Sequence, residues 1–413
     1  MVAGSDAGHA LPALGVASIL AGRGHEVVFC SGAEHAGLAA AHGCRFLPLP
    51  SPAPTPLGER DDHRDLGHLL WQVGADLGVA LAGMLAARPP DLVVADVLSS
   101  AGGYAAQLLG RPWVEVVPHH LPDPAPDLPP VGLGRGLARH PLRRYDDRRL
   151  YAKQQQSLDL GLTQADEAAR RIGLARRVAP VLRLAATLPS LERRRRQWPA
   201  QAHVVGPLAV DPPLPPLPLP DGDQPLVVVT DSTAAGVESG LGRLAAAGLA
   251  DLDVRLVITS TRLPPREDGR VVVGPGPHAQ LLAHADLAVG PGGGGFVSKA
   301  AAAGVPLVVV PLQGDQREAA ARLRDAGVAS VLTAARRSPR WLRWHVVRQL
   351  ADPRPHVAAA RLADEARHLG PEVAGDLVER VLAGERPVAE GPAEHLPVEG
   401  RSAPWRSHRG DGR

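Results

Sequence analysis

The stretch that decides the fold is Asp286-Leu-Ala-Val-Gly290-Pro-Gly-Gly-Gly-Gly-Phe296-Val-Ser-Lys299-Ala-Ala-Ala-Ala-Gly304-Val-Pro306-Leu-Val-Val-Val310-Pro-Leu-Gln-Gly-Asp315-Gln316. It reads as strand, glycine loop, helix, strand and polar turn. The strand is expected over 287–289, the loop over 290–295, and the helix from near Phe296 to Gly304, which serves as its C′ residue. Pro306 opens the uniformly apolar run 307–310, the pattern of a parallel strand covered on both faces. A glycine loop feeding a helix is an anion seat. The glycines let backbone N–H groups approach closely, and the helix start adds unpaired donors and a partial positive charge. Taken alone, the same glycines fit a plain flexible turn equally well.

Outward from this stretch, composition sets the frame. The 413 residues should hold two domains of ordinary size, and an apolar content of 45% is enough for two cores. A net charge of +2 argues against nucleic acid or a membrane surface held by charge. Apart from Lys153 and Lys299 the basic residues are arginines; with abundant Ala, Gly and Pro this points to a GC-rich genome such as an actinomycete's. Cys30 and Cys44 have neither metal nor redox spacing and read as buried thiols in a reducing cytosol, so a cytoplasmic protein is expected. No apolar run approaches the ~20 residues of a membrane span, and no signal peptide is visible.

Along the chain, helix and strand patterns alternate. A turn arrives almost at once after Met1, where a doubly wound domain would open on a strand of about five residues; several residues are therefore expected upstream. Gly8-His9 opens a first helix with Pro12 in its first turn and Ala13, Val16, Ala17 and Leu20 as its apolar stripe. Residues 63–87 form a helix by periodicity, with Leu66, Leu69, Leu70, Val73, Leu77, Leu81 and Met84 as its core face. Asp91 to Asp96 is a buried strand ending in a carboxylate, which fits a helix cap. Residues 113–117 form the next strand; His119 and His120 follow at the same edge, where they fit a contact to an acceptor or, more simply, solvated loop residues. Helical pattern runs from about Leu137 to Ile172. Arg193 to Arg196 reads as a solvated basic loop, because no aromatics interleave.

The domains are read as 1–206, a Pro-rich linker 207–224 of extended polyproline character, 225–385, and a disordered tail 386–413. Thr233 lies at a strand-to-helix turn early in the second domain. Two Asp-x-Asp pairs, Asp221/Asp223 in the linker and Asp251/Asp253 before a strand, are set aside as metal sites.

The order Gly-Gly-x-Gly, Gly304-Val305-Pro306, Asp315-Gln316, with Pro277-His278-Ala-Gln-Leu281-Leu282 and Ala285-Asp286 upstream, resembles the donor-binding region of glycosyltransferase family 1. The N-terminal His-x-x-Pro-x-Leu and Arg23-Gly-His-Glu-Val27 are similar to the same family and to family 28. The resemblance implies a GT-B fold, an α/β architecture of two Rossmann-like doubly wound domains facing a cleft. It implies His9 as general base and Asp96 as the carboxylate that orients it. It implies Thr233, His278, Gly292, Gly293 and Gly295 around the donor, with Asp315 and Gln316 on the sugar hydroxyls. The family pattern carries His, Thr or Ser, and Glu where this chain has Pro291, Phe296 and Lys299, and Trp at Pro275.

The expected activity is inverting transfer of a sugar from a dTDP or UDP donor to a hydroxyl of a small apolar natural product. The alternative is a catalytically impaired homologue acting as an auxiliary or binding subunit. No cofactor or metal is expected beyond the nucleotide-sugar co-substrate. The expected partners are the aglycone and the nucleotide sugar, with a homodimer or auxiliary protein as the further partner allowed for.

Overall fold

A computed structural model describes residues 1–49, 63–208, 210–231, 239–312 and 315–387. In the N-terminal lobe Ala7–Gly22 (α1) leads to Val28–Ser31 (β1), Ala36–Ala41 (α2), Arg45–Pro48 (β2) and His63–Leu85 (α3). Then come Val93–Asp96 (β3), Ser100–Leu108 (α4), Trp113–Val117 (β4), Pro141–Arg171 (α5), Leu182–Ala185 (β5) and Ala202–Val204 (β6). Strands β1 and β2 pair in parallel, as do β3 through β6 in sequence. Val2 joins the two pieces by bridging Cys30 of β1 and Ala95 of β3. Counting Val2 as the first strand, the order is 3-2-1-4-5-6-7, a doubly wound order whose reversal falls between Val2 and β3.

The C-terminal lobe comprises Leu226–Thr230 (β7), Leu241–Leu249 (α6), Arg255–Thr259 (β8), Arg266–Asp268 (β9), Val271–Gly274 (β10), His278–Leu282 (α7) and Leu287–Gly290 (β11). It continues through Gly294–Ala302 (α8), Leu307–Val309 (β12), Gln316–Asp325 (α9), Ala329–Val331 (β13), Pro339–Ala351 (α10), Pro353–Ala366 (α11) and Pro371–Leu382 (α12). The sheet order is β13-β12-β11-β7-β8-β10-β9, parallel except for the edge pair β9–β10. Here the order reverses between β7 and β11. Both lobes thus repeat one winding, and in such sheets ligands bind beyond the strand C-termini at the reversal.

The apolar strands are buried as their composition dictates; all of β7, β11 and β12 is buried. α8 ends in a Schellman motif. Val305 N–H donates to the Ala300 carbonyl (2.9 Å) and Gly304 N–H to that of Ala301 (3.1 Å), with Gly304 at φ +70°. The last helix returns to the first lobe, where Ala374, Leu377, Val378 and Val381 join the core packed on α1. Arg23, the C-cap residue of α1, meets Glu372, Asp376 and Glu379 of α12 at 2.6–2.8 Å.

Several expectations need correcting. α8 begins at Gly294, two residues before Phe296, because Gly293 already serves as N-cap. Pro12 stands inside α1, whose first turn begins at Ala7 behind the Asp6 cap. On α3, Leu70 and Met84 are exposed while Gly74, Ala75, Gly78 and Leu81 are buried. Small residues face inward because α4 approaches closely: a Cβ on Gly78 would lie 2.7 Å from the Tyr104 Cβ. α5 starts at Pro141 rather than Leu137, with His140 as its cap. The expected loop at 50–56, the side chains of Leu66 and Leu69, Thr233, and the tail from 388 onward lie outside what the structure describes; Arg386 and Pro387 lie beside Arg176 and Arg177. Cys30 and Cys44 are buried free thiols, both pushed up by desolvation. Among the described residues no helix is long and apolar enough to cross a membrane.

Candidate active site

The reversal point of the first lobe places His9 beside Asp96. Asp6 accepts the Gly8 N–H at 2.7 Å and so starts α1, which sets His9 on its first turn. Asp96 ends β3 with its carboxylate buried. The His9 ring Nδ1 lies 2.7 Å from Asp96 Oδ1, and Oδ2 accepts the Leu98 N–H at 3.0 Å and the Ser99 hydroxyl at 3.5 Å. The carboxylate therefore holds the turn into α4 and the imidazole together. A carboxylate only accepts, so Nδ1 carries the hydrogen and Nε2 is left as the basic nitrogen of neutral His9. Burial by itself would lower the His9 pKa. The hydrogen bond and charge of Asp96, with the charges of Asp6 and Asp315, outweigh burial and raise it. Asp315 belongs to the opposite lobe, so His9 senses the charge across the crevice.

The reversal point of the second lobe places the glycine loop between β11 and α8. Gly292 has φ +92°, and a Cβ there would sit 2.9 Å from Val309, so this turn requires glycine. Gly293 caps the helix without a side-chain bond. The N–H groups of Gly294 and Gly295, in the first turn of α8, have no intrahelical acceptor. Phe296 turns inward: its ring packs against Gly290 and stands edge-on to His278 at 5.2 Å, nearly buried in the core. The space over the helix start is therefore left clear of the phenyl ring. Lys299 is bound to Asp211 of the linker, whose other oxygen caps α7 by accepting the Ala279 N–H at 2.9 Å. Its charge is thus committed to holding the linker against α8 and α7, and does not stand free as a substitute for the family's side chain.

His278, the first residue of α7, reaches the ends of β7 and β8. Its Nε2 lies 3.2 Å from Thr230 Oγ1 and 2.9 Å from Thr259 Oγ1. Both hydroxyls have carbonyls to donate to, those of Asp231 and Val229, so Nε2–H donates to the threonines. Desolvation and the nearby Lys299 charge lower its pKa to about 4, which keeps the ring neutral. Asp315 stands at the N-cap position of α9 without a side-chain cap bond and lines the space between the lobes. Gln316 is buried and accepts the Leu312 N–H through Oε1 at 2.9 Å. The remaining donor-side position, Thr233, is outside the described residues.

Sequence reasoning missed two groups. His120 is buried and His119 half-buried, rather than both being solvated. His119 lies 6.3 Å from His9, ring to ring and nearly perpendicular. His120 is buried, and desolvation followed by the charges of Arg322, His119, Arg193 and Arg195 holds its pKa well below the usual value. Their position just past the end of a buried strand was the available signal. The basic run is in part interior: Arg193 is buried and Arg195 half-buried, while Arg194 and Arg196 are exposed as expected. Arg193 pairs with Glu318 at 3.0 Å and Asp325 at 3.2 Å, Arg195 with Glu192 at 3.2 Å, and Arg322 with Glu192 at 2.7 Å and Glu318 at 3.0 Å. These charges clasp the segment after β5 to α9, the helix that Asp315 and Gln316 begin. Of the Asp-x-Asp residues, Asp253 is paired with Arg270 at 2.6 Å.

Residues 276–368 match the glycosyltransferase family 28 C-terminal domain. The 4′-demethylrebeccamycin synthase of Lentzea aerocolonigenes is 31% identical over 394 residues, covering 87% of this chain and 93% of that protein. The solved structure of CalG4, the calicheamicin glycosyltransferase, superposes with a TM-score of 0.72 at 24% identity, covering 94% of this chain and 98% of its own. The glycosyltransferase VinC, solved in complex with dTDP, superposes with a TM-score of 0.67 at 24% identity, covering 93% of this chain and 99% of its own.

Proposed function

We propose that this chain, which belongs to the GT-B family of antibiotic and natural-product glycosyltransferases, is an inverting enzyme that moves a sugar from a dTDP or UDP donor to a hydroxyl of a small apolar aglycone. The observation that carries this reading is the 2.7 Å contact of His9 with buried Asp96, set opposite the start of α8 across the crevice. We assign residues 1–206 to the acceptor, 225–385 to the donor, and 207–224 to the connection between them.

In this scheme His9 Nε2 takes the acceptor proton while Asp96 stabilises the imidazolium, a contribution of roughly 10²–10⁴ in rate. The acceptor oxygen attacks the anomeric carbon from the face opposite the diphosphate, which inverts that centre. The departing diphosphate rests on the N–H groups of Gly293 to Gly295, where the helix start carries partial positive charge. Asp315 and Gln316 hold the sugar hydroxyls, and His278 supports the donor loop as a neutral ring. The diphosphate charge is met by protein donors, so the reaction needs no metal. A cytoplasmic location fits the same reading.

The test is direct. Purified protein is incubated with dTDP- and UDP-sugars and a panel of phenolic and macrocyclic acceptors, and glycosides are sought by mass spectrometry. Products from the wild type that disappear in His9→Ala support the assignment. Turnover unchanged in His9→Ala would refute the role given to the dyad.

A further inference from the structure

We propose that His119, on the loop after β4, is a second catalytic residue: as an imidazolium its Nε2–H binds the departing diphosphate from the acceptor lobe. The inference rests on the glycosyltransferase reading above and deepens it.

Its position comes first. The Pro118 carbonyl oxygen stands 2.9 Å from where a Cβ on Gly294 would lie, and the His119 Cβ stands 3.9 Å from the same point. The first-lobe loop therefore abuts the first residue of α8, where the phosphates are expected to rest. Its ring orientation comes next. His119 Nδ1 lies 2.7 Å from the His120 carbonyl. A carbonyl only accepts, so Nδ1–H donates and Nε2 is the ring atom left for the space between the lobes. That space is lined by His119, Gly294, Asp315 and Arg322 together with apolar side chains such as Leu188, Leu191 and Val297.

The second lobe supplies the need. Pro291 has no backbone N–H, Phe296 turns a ring into the core, and Lys299 is bound to Asp211. The Ser298 hydroxyl donates to the Gly295 carbonyl at 3.1 Å. Among the described residues, the glycine loop and first turns of α8 thus present backbone donors without a side-chain cation. A diphosphate held only by neutral N–H groups lacks a charge-assisted partner, and such bonds are about twice as strong as neutral ones. The charged and titratable groups facing His119 are His9 with Asp96 behind it, neutral His120 on its own loop, and Asp315 and Arg322 from α9.

The inference predicts how nucleotide affinity varies with pH. Calorimetric titrations of dTDP and UDP would be run on wild type, His119→Gln, His119→Lys and His9→Ala at pH 6 and pH 8. Relative to wild type, His119→Gln should bind about tenfold more weakly at pH 6 and equally at pH 8, the loss of one bond to a charged group. His119→Lys, which keeps a cation at both values, should bind more tightly than wild type at pH 8. Because His9 is itself a titratable ring 6.3 Å from His119, the comparison is repeated in the His9→Ala background, where the tenfold loss of His119→Gln at pH 6 should persist. A merely space-filling His119 would move none of these ratios between the two pH values. If wild type binds and His119→Gln tracks it at both pH values, the inference falls while the glycosyltransferase reading stands. If wild type binds neither nucleotide at either pH, both fall.

Discussion

At the residue scale, the chemistry rests on how His9 is held. Replacing Asp96 with Asn removes the hydrogen-bonded charge that raises the His9 pKa and leaves burial, which lowers it. The base is active when neutral, so wild-type kcat/KM should climb with pH through a value above the ordinary ~6.5. In Asp96→Asn this acid limb should move to lower pH, and the plateau should drop about 10²-fold or more as the weaker base takes the proton. A pH–rate profile of the two proteins checks both. Asp96 was legible because it ends a short apolar strand, and strand C-termini are where open sheets bind ligands; His9, on the first turn of α1, was named through the family resemblance. His119 had the same credential as Asp96. It was read as solvent because a histidine after a strand has no periodicity to show that the other lobe's helix start will close over it.

At the element scale, the glycine loop carries two different constraints. Gly292 is needed for its backbone, with φ +92° and Val309 2.9 Å from a would-be Cβ. Gly292→Ala should therefore lower unfolding free energy by about 1–3 kcal/mol, measured by urea denaturation. Gly294 is needed for the contact between lobes, since its added methyl would meet the Pro118 carbonyl at 2.9 Å. Gly294→Ala should weaken nucleotide binding and turnover more than it lowers the melting temperature, because the local φ is ordinary and the clash lies between lobes. The strand–loop–helix order was readable because apolar runs and glycines are local signals. The helix start was misplaced by two residues because glycine carries no capping side chain to mark it. On α3 the period was right, but the inward face chose Ala and Gly over Leu and Met, since the closeness of α4 is a tertiary fact.

At the scale of the whole molecule, two sheets of the same winding face each other; among the described residues the ties between them include the clasp of Arg193, Arg195 and Arg322 with Glu192 and Glu318 and the seat of α12 on α1, while the Lys299–Asp211 pair holds the linker to the second lobe. The clasp escaped the sequence because Arg193 meets Glu318, and Arg322 meets Glu192, across more than a hundred residues, whereas a four-residue basic run reads as solvated. Arg322→Ala would leave Glu192 and Glu318 buried with less compensation, and should cost about 3–5 kcal/mol in chemical denaturation. Leu377→Ala at the seat of α12 should cost about 2–4 kcal/mol. Chelation by EDTA should leave the transfer rate unchanged, because the scheme meets the diphosphate charge with helix donors. The measurement that bears most directly on the central claim, a nucleoside-diphosphate seat on the second lobe facing a base on the first, is calorimetric titration of wild type and His9→Ala with dTDP and UDP. The account predicts saturable one-site binding of at least one nucleotide, with closely similar affinity in both proteins; absence of binding by either nucleotide would contradict it and favour the auxiliary-subunit alternative.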